Sequence, residues 1–337
     1  MLSKPCIFVR QFQIMKTSIK EILFFGLLAL LMGAMEIQAQ TCSCAGAPLI
    51  SSQSISSAAK GNLLLGVTYQ YNDISNLYSG SSQLNNLSTA RNTQSTLLEL
   101  NYGITRRLTF SGTVTYVQKF RRTGLQTSGA EETLTTRGIG DGLFMLKYVL
   151  HQNTIRKQYQ LAIGGGVKVP FGASDITQGG LALNADMQPG TGAWDGIAWS
   201  YFSKTFAPAT TINLFWYNSF RLTGSDNRFG SNDIYRFGNE VVSTLGVTNK
   251  IIGDLSYIMM VRYRSTASDQ RNGNPLPNTG GKWINFKPAF SYGLTDQLSL
   301  RFSGQLPVYQ HLNGTQPTTA FTLSASVFYN FGSKTIF

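Results

Sequence analysis

"QSTLLELNYGITRRLTFSGTVTYVQKF", residues 94–120, alternates apolar and polar side chains on either side of a short polar interruption. In its first half Thr96, Leu98, Leu100, Tyr102 and Ile104 share one face of an extended chain. Ser95, Glu99, Asn101 and Gly103 share the other. After "TRR" at 105–107, Leu108, Phe110, Val114, Tyr116 and Phe120 oppose Thr109, Ser111, Thr113, Thr115 and Lys119. A period of two marks a β-strand with one apolar face. Two such strands joined by three residues predict an antiparallel hairpin. Both strands exceed the roughly five or six residues usual in globular sheets and match a tilted strand that crosses a bilayer with some overhang.

The same alternation recurs outward from this hairpin. It predicts strands at 63–71, 94–104, 108–120, 137–150, 159–171, 194–204, 210–222, 235–248, 255–267, 282–294, 298–309 and 320–331. Connections after the odd strands are long (72–93, 121–136, 172–193, 223–234, 268–281 and 310–319). Those after the even strands are short (105–107, 151–158, 205–209, 249–254 and 295–297). Long loops at one end and short turns at the other are the pattern of an outer-membrane barrel, with both termini on the short-turn, periplasmic side. Aromatic residues agree. Tyr102, Tyr148, Tyr159, Tyr292, Tyr329 and Phe331 fall at the inner ends of their strands. Tyr71, Phe120, Phe171, Phe220, Tyr235, Tyr263 and Phe321 fall at the outer ends, in register with the apolar face. Two such girdles bound a lipid-facing band, whereas a soluble β-sandwich would concentrate aromatics mid-strand.

The expected fold is therefore all-β: a transmembrane antiparallel up-and-down β-barrel of about twelve strands, spanning 61–337, after an N-terminal signal peptide. Lipid offers no hydrogen bonds to a strand edge, so the last strand must pair with the first. That last strand, "AFTLSASVFYNF" (320–331), ends in the aromatic pattern that barrel-assembly machinery reads, with Phe337 as a second terminal Phe. Three places fit less well. "WDGIAWSYFSK" (194–204) is apolar on both faces, so its parity stays open. Asn239 and Ser243 fall on the apolar face of the eighth strand, and Pro288 lies inside the tenth.

Residues 22–35, "ILFFGLLALLMGAM", form an apolar run too short for a membrane-spanning helix. Lys16 and Lys20 precede it and small or polar residues follow, as in a secretory signal peptide. Cleavage after Ala39 assigns 1–39 to the signal and 40–60 to a periplasmic tail. Met15 is the better initiation site, which would remove Cys6. The tail carries Cys42 and Cys44. Thr41, Gln40 and Ala39 before Cys42 are a poor lipidation signal, and a disulfide between cysteines one residue apart would be strained. The two cysteines read first as redox-labile thiols on an unstructured tail; pairing with another chain, or half of a Cu(I) site, comes second.

The chain carries 28 Lys+Arg against 16 Asp+Glu, a net charge of +12. Those charges are dispersed through alternating segments of a secreted chain, which argues against nucleic acid as a partner. Only 13% of residues are charged, about half the share usual in soluble domains. His151 and His311 are the two histidines, expected at opposite ends of the barrel, and no nucleophile motif accompanies either. Gly164, Gly165 and Gly166 sit inside a strand with no helix following, so they read as relief of crowding in the wall, not a phosphate loop. No cofactor and no catalytic residue is expected.

Several stretches resemble the outer-membrane family named for the MetA pathway of phenol degradation. They are "GIGDGLFMLKY" (138–148), "AIGGGVKVPFG" (162–172), "QPGTGAWDGIAWSYFSKTF" (188–206), "YRFGNEVVSTLGV" (235–247) and "SYGLTDQLSLRFSGQLPVYQHLNG" (291–314). The pieces at 189–195 and 305–314 are the most specific. The resemblance implies a barrel in the outer membrane of a Gram-negative bacterium that passes small organic molecules, and brings no catalytic residues.

The expected function is a passive or substrate-selective channel, with outer-membrane lipid, small-molecule solutes and, during biogenesis, the assembly machinery as partners. A plugged structural or adhesive barrel whose outer loops bind a partner is the alternative. Nine basic residues fall on the polar strand faces: Lys119, Lys147, Lys168, Arg221, Arg236, Arg262, Arg264, Lys287 and Arg301. Three acids accompany them: Glu99, Asp141 and Glu240. All are expected to point inward, because Lys or Arg facing lipid at mid-bilayer costs about 2–4 kcal/mol. Arg236 and Glu240, four apart, are expected to pair. Residues 172–193 form a long loop able to narrow the pore, with Trp194 and Asp195 as candidate constriction residues.

Overall fold

The computed structural model of the protein describes residues 58–86, 89–124, 131–152, 158–206, 212–229 and 233–332. Within them twelve antiparallel strands close into a barrel. They are β1 (Leu63–Asp73), β2 (Thr89–Gly103), β3 (Leu108–Thr123), β4 (Gly142–His151), β5 (Tyr159–Val169) and β6 (Asp195–Thr205). There follow β7 (Asn213–Thr223), β8 (Glu240–Ile252), β9 (Leu255–Thr266), β10 (Gly281–Gly293), β11 (Leu298–Thr318) and β12 (Phe321–Asn330). Each pairs with its sequence neighbours, and β12 closes on β1 from Leu64↔Asn330 to Asp73↔Phe321. No helix among the described residues is long and apolar enough to cross a membrane.

Burial alternates along most wall strands. On β1, Leu64, Gly66, Thr68 and Gln70 are buried, while Val67 and Tyr69 are exposed. The exposed face is the apolar one, because its solvent is lipid. Inside, polar groups meet one another, and Thr68 donates to Ser326 across the closing seam at 2.9 Å. The girdle aromatics Tyr102, Tyr148, Tyr292, Tyr329 and Phe331 at one end, and Phe171, Phe220 and Tyr263 at the other, all face outward.

Two of the described short turns share one device. In "GITRRL" and "GLTDQL" a Thr hydroxyl caps the turn. Thr105 Oγ1 accepts from the amides of Arg107 and Leu108 at 3.1 and 2.9 Å. Thr295 Oγ1 accepts from those of Gln297 and Leu298 at 3.2 and 3.0 Å. Both are side-chain-closed turns that need no long loop.

Four elements differ from the sequence reading. β2 starts at Thr89, not 94, and so carries Arg91 on its inner face. The fourth strand is broken: Glu132–Ile139 pairs with the outer part of β3, and the chain bulges at Gly140–Asp141 before β4. Such a bulge re-aims a side chain, here that of Asp141 into the lumen. The eighth strand starts at Glu240; residues 233–236 leave the wall and join an outer sheet with 225–229, 270–271 and 274–275. Tyr235 is consequently buried among Phe229, Phe237 and Ala185 and is not a girdle residue. β11 runs to Thr318, and its outer part pairs with the hairpin 76–84 that fills the expected first long loop.

The doubtful positions have local answers. Ile197, Trp199 and Tyr201 of β6 point inward, while Gly196, Ala198, Ser200 and Phe202 face out. Ser243 faces lipid, where it accepts a hydrogen bond from Trp216 Nε1 at 2.8 Å. Pro288 faces out and pairs with Met259, while on the β11 side the ladder passes from Phe286↔Leu306 to Ala289↔Ser303. Proline has no N–H for the missing rungs. Phe337, Cys42 and Cys44 lie outside the described residues.

Candidate channel lumen

The segment between β5 and β6 folds into the barrel mouth. Gly172 and Gly190 approach so closely that a Cβ on either would meet the other's backbone within 2.6 Å. The Gly190 amide donates to Ala173 O at 2.9 Å, which pinches the neck of the loop. Beyond the neck, Thr177–Gln178 pairs with Leu181–Ala182 around Gly179 and Gly180, at φ 58 and 80. Two left-handed glycines are what such a two-residue hairpin turn requires. The chain then makes a short 3-10 turn at Ala185–Met187.

Three wall residues hold that turn. Lys119 Nζ donates to the carbonyls of Asp186 and Gln188 at 3.0 and 2.6 Å. Thr136 Oγ1 donates to Met187 O at 2.5 Å. Arg91 forms an ion pair with Asp186. Gln188 is buried and stitches the loop, accepting from Ile176 N and donating to Ile176 O and Leu183 O. Met187 packs with Leu134 and Leu183. The turn Ala185–Gln188 is thereby held against the wall beside β2–β4. Trp194, the residue before β6, is 60% exposed.

Asp195, at the head of β6, belongs to a belt of buried charges just beneath. Lys168 lies 2.8 Å from Asp195 and 3.2 Å from Asp141. Arg221 lies 3.9 Å from Asp195 and 3.7 Å from Glu240. Arg264 lies 2.6 Å from Glu240 and 5.0 Å from the Trp283 ring. Three cations thus face three carboxylates and the belt is balanced. Asp141 also accepts from Thr191 N at 3.0 Å and from Gly172 N at 3.3 Å, joining belt to loop. Arg236 takes no part in it: its Nε donates to Thr223 O at 3.1 Å from the outer sheet, and Glu240 pairs with Arg221 and Arg264 in its place. The chain leaves the wall between residues 236 and 240, which breaks the spacing on which that pairing was expected.

Below the belt the balance changes. Lys147, Arg262, Lys287 and Arg301 sit on the inner face of β4, β9, β10 and β11. Glu99, on β2, is the carboxylate whose charge reaches Lys147 and Arg301. Lys147 rests over Trp199 at 5.2 Å and Arg301 over Phe328 at 5.0 Å, both cation–π contacts.

Inward glycines let these rings lie flat on the wall. A Cβ on Gly164 would come 3.1 Å from Trp199 and 3.4 Å from Lys147. One on Gly66 would come 2.6 Å from Phe328, and one on Gly246 2.3 Å from Phe215. Gly164 and Gly166 thus relieve crowding as expected, but Gly165 does not: it faces outward, with only Ile197 O near, at 3.8 Å. One arc of the lumen, on β4–β8, is apolar and aromatic, built from Met145, Ile197, Trp199, Tyr201, Phe215 and Tyr217. The opposite arc is polar and cationic. Its inward residues Arg264, Ser291, Arg301, Ser303, Gln305 and Ser324 are only partly buried.

Above the mouth, Asp269 sits beneath the outer sheet, accepting from Tyr235 Oη at 2.6 Å and Gly238 N at 2.9 Å. Burial pushes its carboxyl up to about 6, against those two hydrogen bonds and the charges of Arg221 and Arg264. A raised carboxyl favours the folded sheet below the unfolded value near 4, and that share is lost as pH rises through 6. The outer sheet should be tighter at pH 4.5 than at 7.5, by at most about 3 kcal/mol. Amide exchange across 225–275 checks this, and Asp269→Asn should flatten the difference.

The histidines stay apart. His151 stacks on Tyr159 at 4.3 Å near the short-turn end. His311 Nδ1 lies 2.8 Å from Ser81 Oγ on the exposed outer hairpin. Among the described residues no carboxylate contacts that pair, so it lacks the group that orients a catalytic base.

No family model and no curated protein matches the chain. Solved structures do. An outer membrane channel from Pseudomonas putida F1 superposes with a TM-score of 0.67 at 14% identity, over 83% of this chain and 99% of that one. The β domain of the Bordetella autotransporter BrkA gives 0.46 at 11%, covering 81% and 100%. The NanC porin gives 0.44 at 13%, covering 81% of this chain and all of that one. The likeness to the first is one of fold: this chain has the closed barrel of outer-membrane channels.

Proposed function

We propose that the protein is a narrow, anion-preferring outer-membrane channel for small organic solutes, of the kind that the resemblance to the MetA-pathway family implies. The observation that carries the reading is the asymmetry of the lumen. The inward loop fills the mouth against β2–β4. The opposite arc keeps partly accessible polar side chains from Arg264 down to Arg301. A solute path along β9–β12 would pass a balanced belt and then a surplus of cations whose field favours anions. The channel structure from Pseudomonas putida supports the fold on which this rests.

Planar-bilayer recording in a salt gradient tests it. The reversal potential should have the anion-selective sign and move toward zero in Arg262→Gln with Arg301→Gln. A cation-selective pore would refute the assignment. A barrel with no conductance would favour the second reading, a plugged barrel acting through its outer loops, which draws on the near-complete burial of Met187 and Gln188 in the mouth.

A further inference from the structure

The strand register lines up an incomplete site in the lumen, next to the charge belt. One row across β6–β10 reads Tyr201, Tyr217, Thr244, Arg262 and Asn285. The row above it begins Trp199, Ser219, Val242. The row below reads Phe215, Gly246, Met260 and Lys287. Arg262 and Lys287 are therefore diagonal neighbours on one face, close enough for their side chains to serve one ligand. The nearby carboxylate, Glu240, is engaged by Arg221 and Arg264.

Four buried atoms in this patch have no hydrogen-bond partner: Trp199 Nε1, Ser219 Oγ, Thr244 Oγ1 and Arg262 Nε. Each belongs to a residue no more than 3% exposed. All four can donate, and two can do nothing else. Buried polar groups are ordinarily satisfied, so a patch of unsatisfied donors beside two cations specifies an acceptor that carries negative charge. The flanking surface specifies the rest of the ligand. Phe215 and Tyr217 lie parallel, 6.4 Å apart with 7° between their planes, and Gly246 lets the Phe215 ring extend toward Met260. These rings and Met260 form the apolar surface beside Arg262 and Lys287.

We propose that this patch is a binding subsite for aromatic carboxylates. The inference deepens the channel reading and rests on it for the solute's route, but the site itself is defined by equilibrium binding. Isothermal titration of the detergent-purified barrel with benzoate should give saturable binding, and benzyl alcohol, which lacks the charge, should bind at least roughly tenfold more weakly. Hexanoate, which lacks the ring, should also be weaker. Arg262→Gln and Lys287→Gln should each weaken benzoate by roughly tenfold or more, with the outward-facing Lys282→Gln as the control. Equal binding of benzoate and benzyl alcohol by the unmodified protein would overturn the proposal, whatever the variants do. So would unchanged benzoate affinity in both glutamine variants. Specific benzoate binding to a barrel without conductance would refute the channel and keep the site. Conductance without saturable benzoate binding would do the reverse.

Discussion

Replacing Asp175–Pro189 by two glycines should raise single-channel conductance several-fold while the barrel still folds. The loop closes on itself at its neck, where Gly190 N meets Ala173 O at 2.9 Å, so excision leaves the ends of β5 and β6 where they are. Compact loops with adjacent ends are the ones that tolerate removal. What is lost is the Ala185–Gln188 turn and the side chains of Met187 and Gln188 that fill the mouth. What is gained is a wider lumen lined on that side by Lys119 and Arg91, whose partners Asp186 and Gln188 leave with the loop. Anion preference should therefore increase together with conductance. Recordings before and after excision, at one salt concentration, check both. Unchanged conductance would mean that the limiting constriction lies below the charge belt.

Lys168→Met should lower the stability of the folded barrel by about 3–5 kcal/mol, the usual cost of leaving a buried charge without its partner. Lys168 is buried between Asp141 and Asp195. The two carboxylates are not equally exposed to the loss. Asp141 keeps donors from Thr191 N and Gly172 N. Asp195 keeps one backbone donor, Gly224 N at 3.1 Å on Oδ1, while its Oδ2 would keep only Arg221, at 3.9 Å. Adding Asp195→Asn should therefore recover about half of the loss, because it removes the stranded charge. Urea unfolding of the lipid-refolded barrel, read by the gel mobility of folded and unfolded forms, measures each step. A Lys168→Met barrel as stable as the parent would show that water reaches the belt and screens it.

The wall was legible in the sequence because lipid imposes one rule on every strand. A residue such as Leu98 or Val67 must be apolar and its neighbours need not be, so period two survives along the whole chain. β6 escaped this rule because both of its faces are apolar for different reasons: Phe202 meets lipid, and Trp199 and Tyr201 line an aromatic lumen. Alternation carries no information there. The same parity pointed Glu99, Lys119, Asp141, Lys147, Lys168, Glu240, Arg262 and Lys287 away from lipid, and all are buried. Arg91 was missed because β2 extends beyond its apolar alternation, into the stretch "TARNT". The inward turn was invisible for a deeper reason. Lys119 reaches Asp186 and Gln188 across 67 and 69 residues, and its acceptors are backbone carbonyls that no side-chain pattern announces. Arg236 was misplaced because a continuous alternation from 235 to 248 hid the break at Phe237–Asn239.

The flat-lying rings have a consequence for how such a protein can change over generations. Trp199, Phe215 and Phe328 each occupy the space that a neighbouring glycine leaves empty. A single-nucleotide exchange of Gly164, Gly66 or Gly246 for alanine would tip one ring away from its bed, and the bore at that height would shrink by part of a ring's width. Strand number, tilt and the lipid-facing surface would all stay the same. If the proposed channel is the protein's function, its diameter can therefore change separately from its folding, one methyl group at a time, at three positions of the same wall.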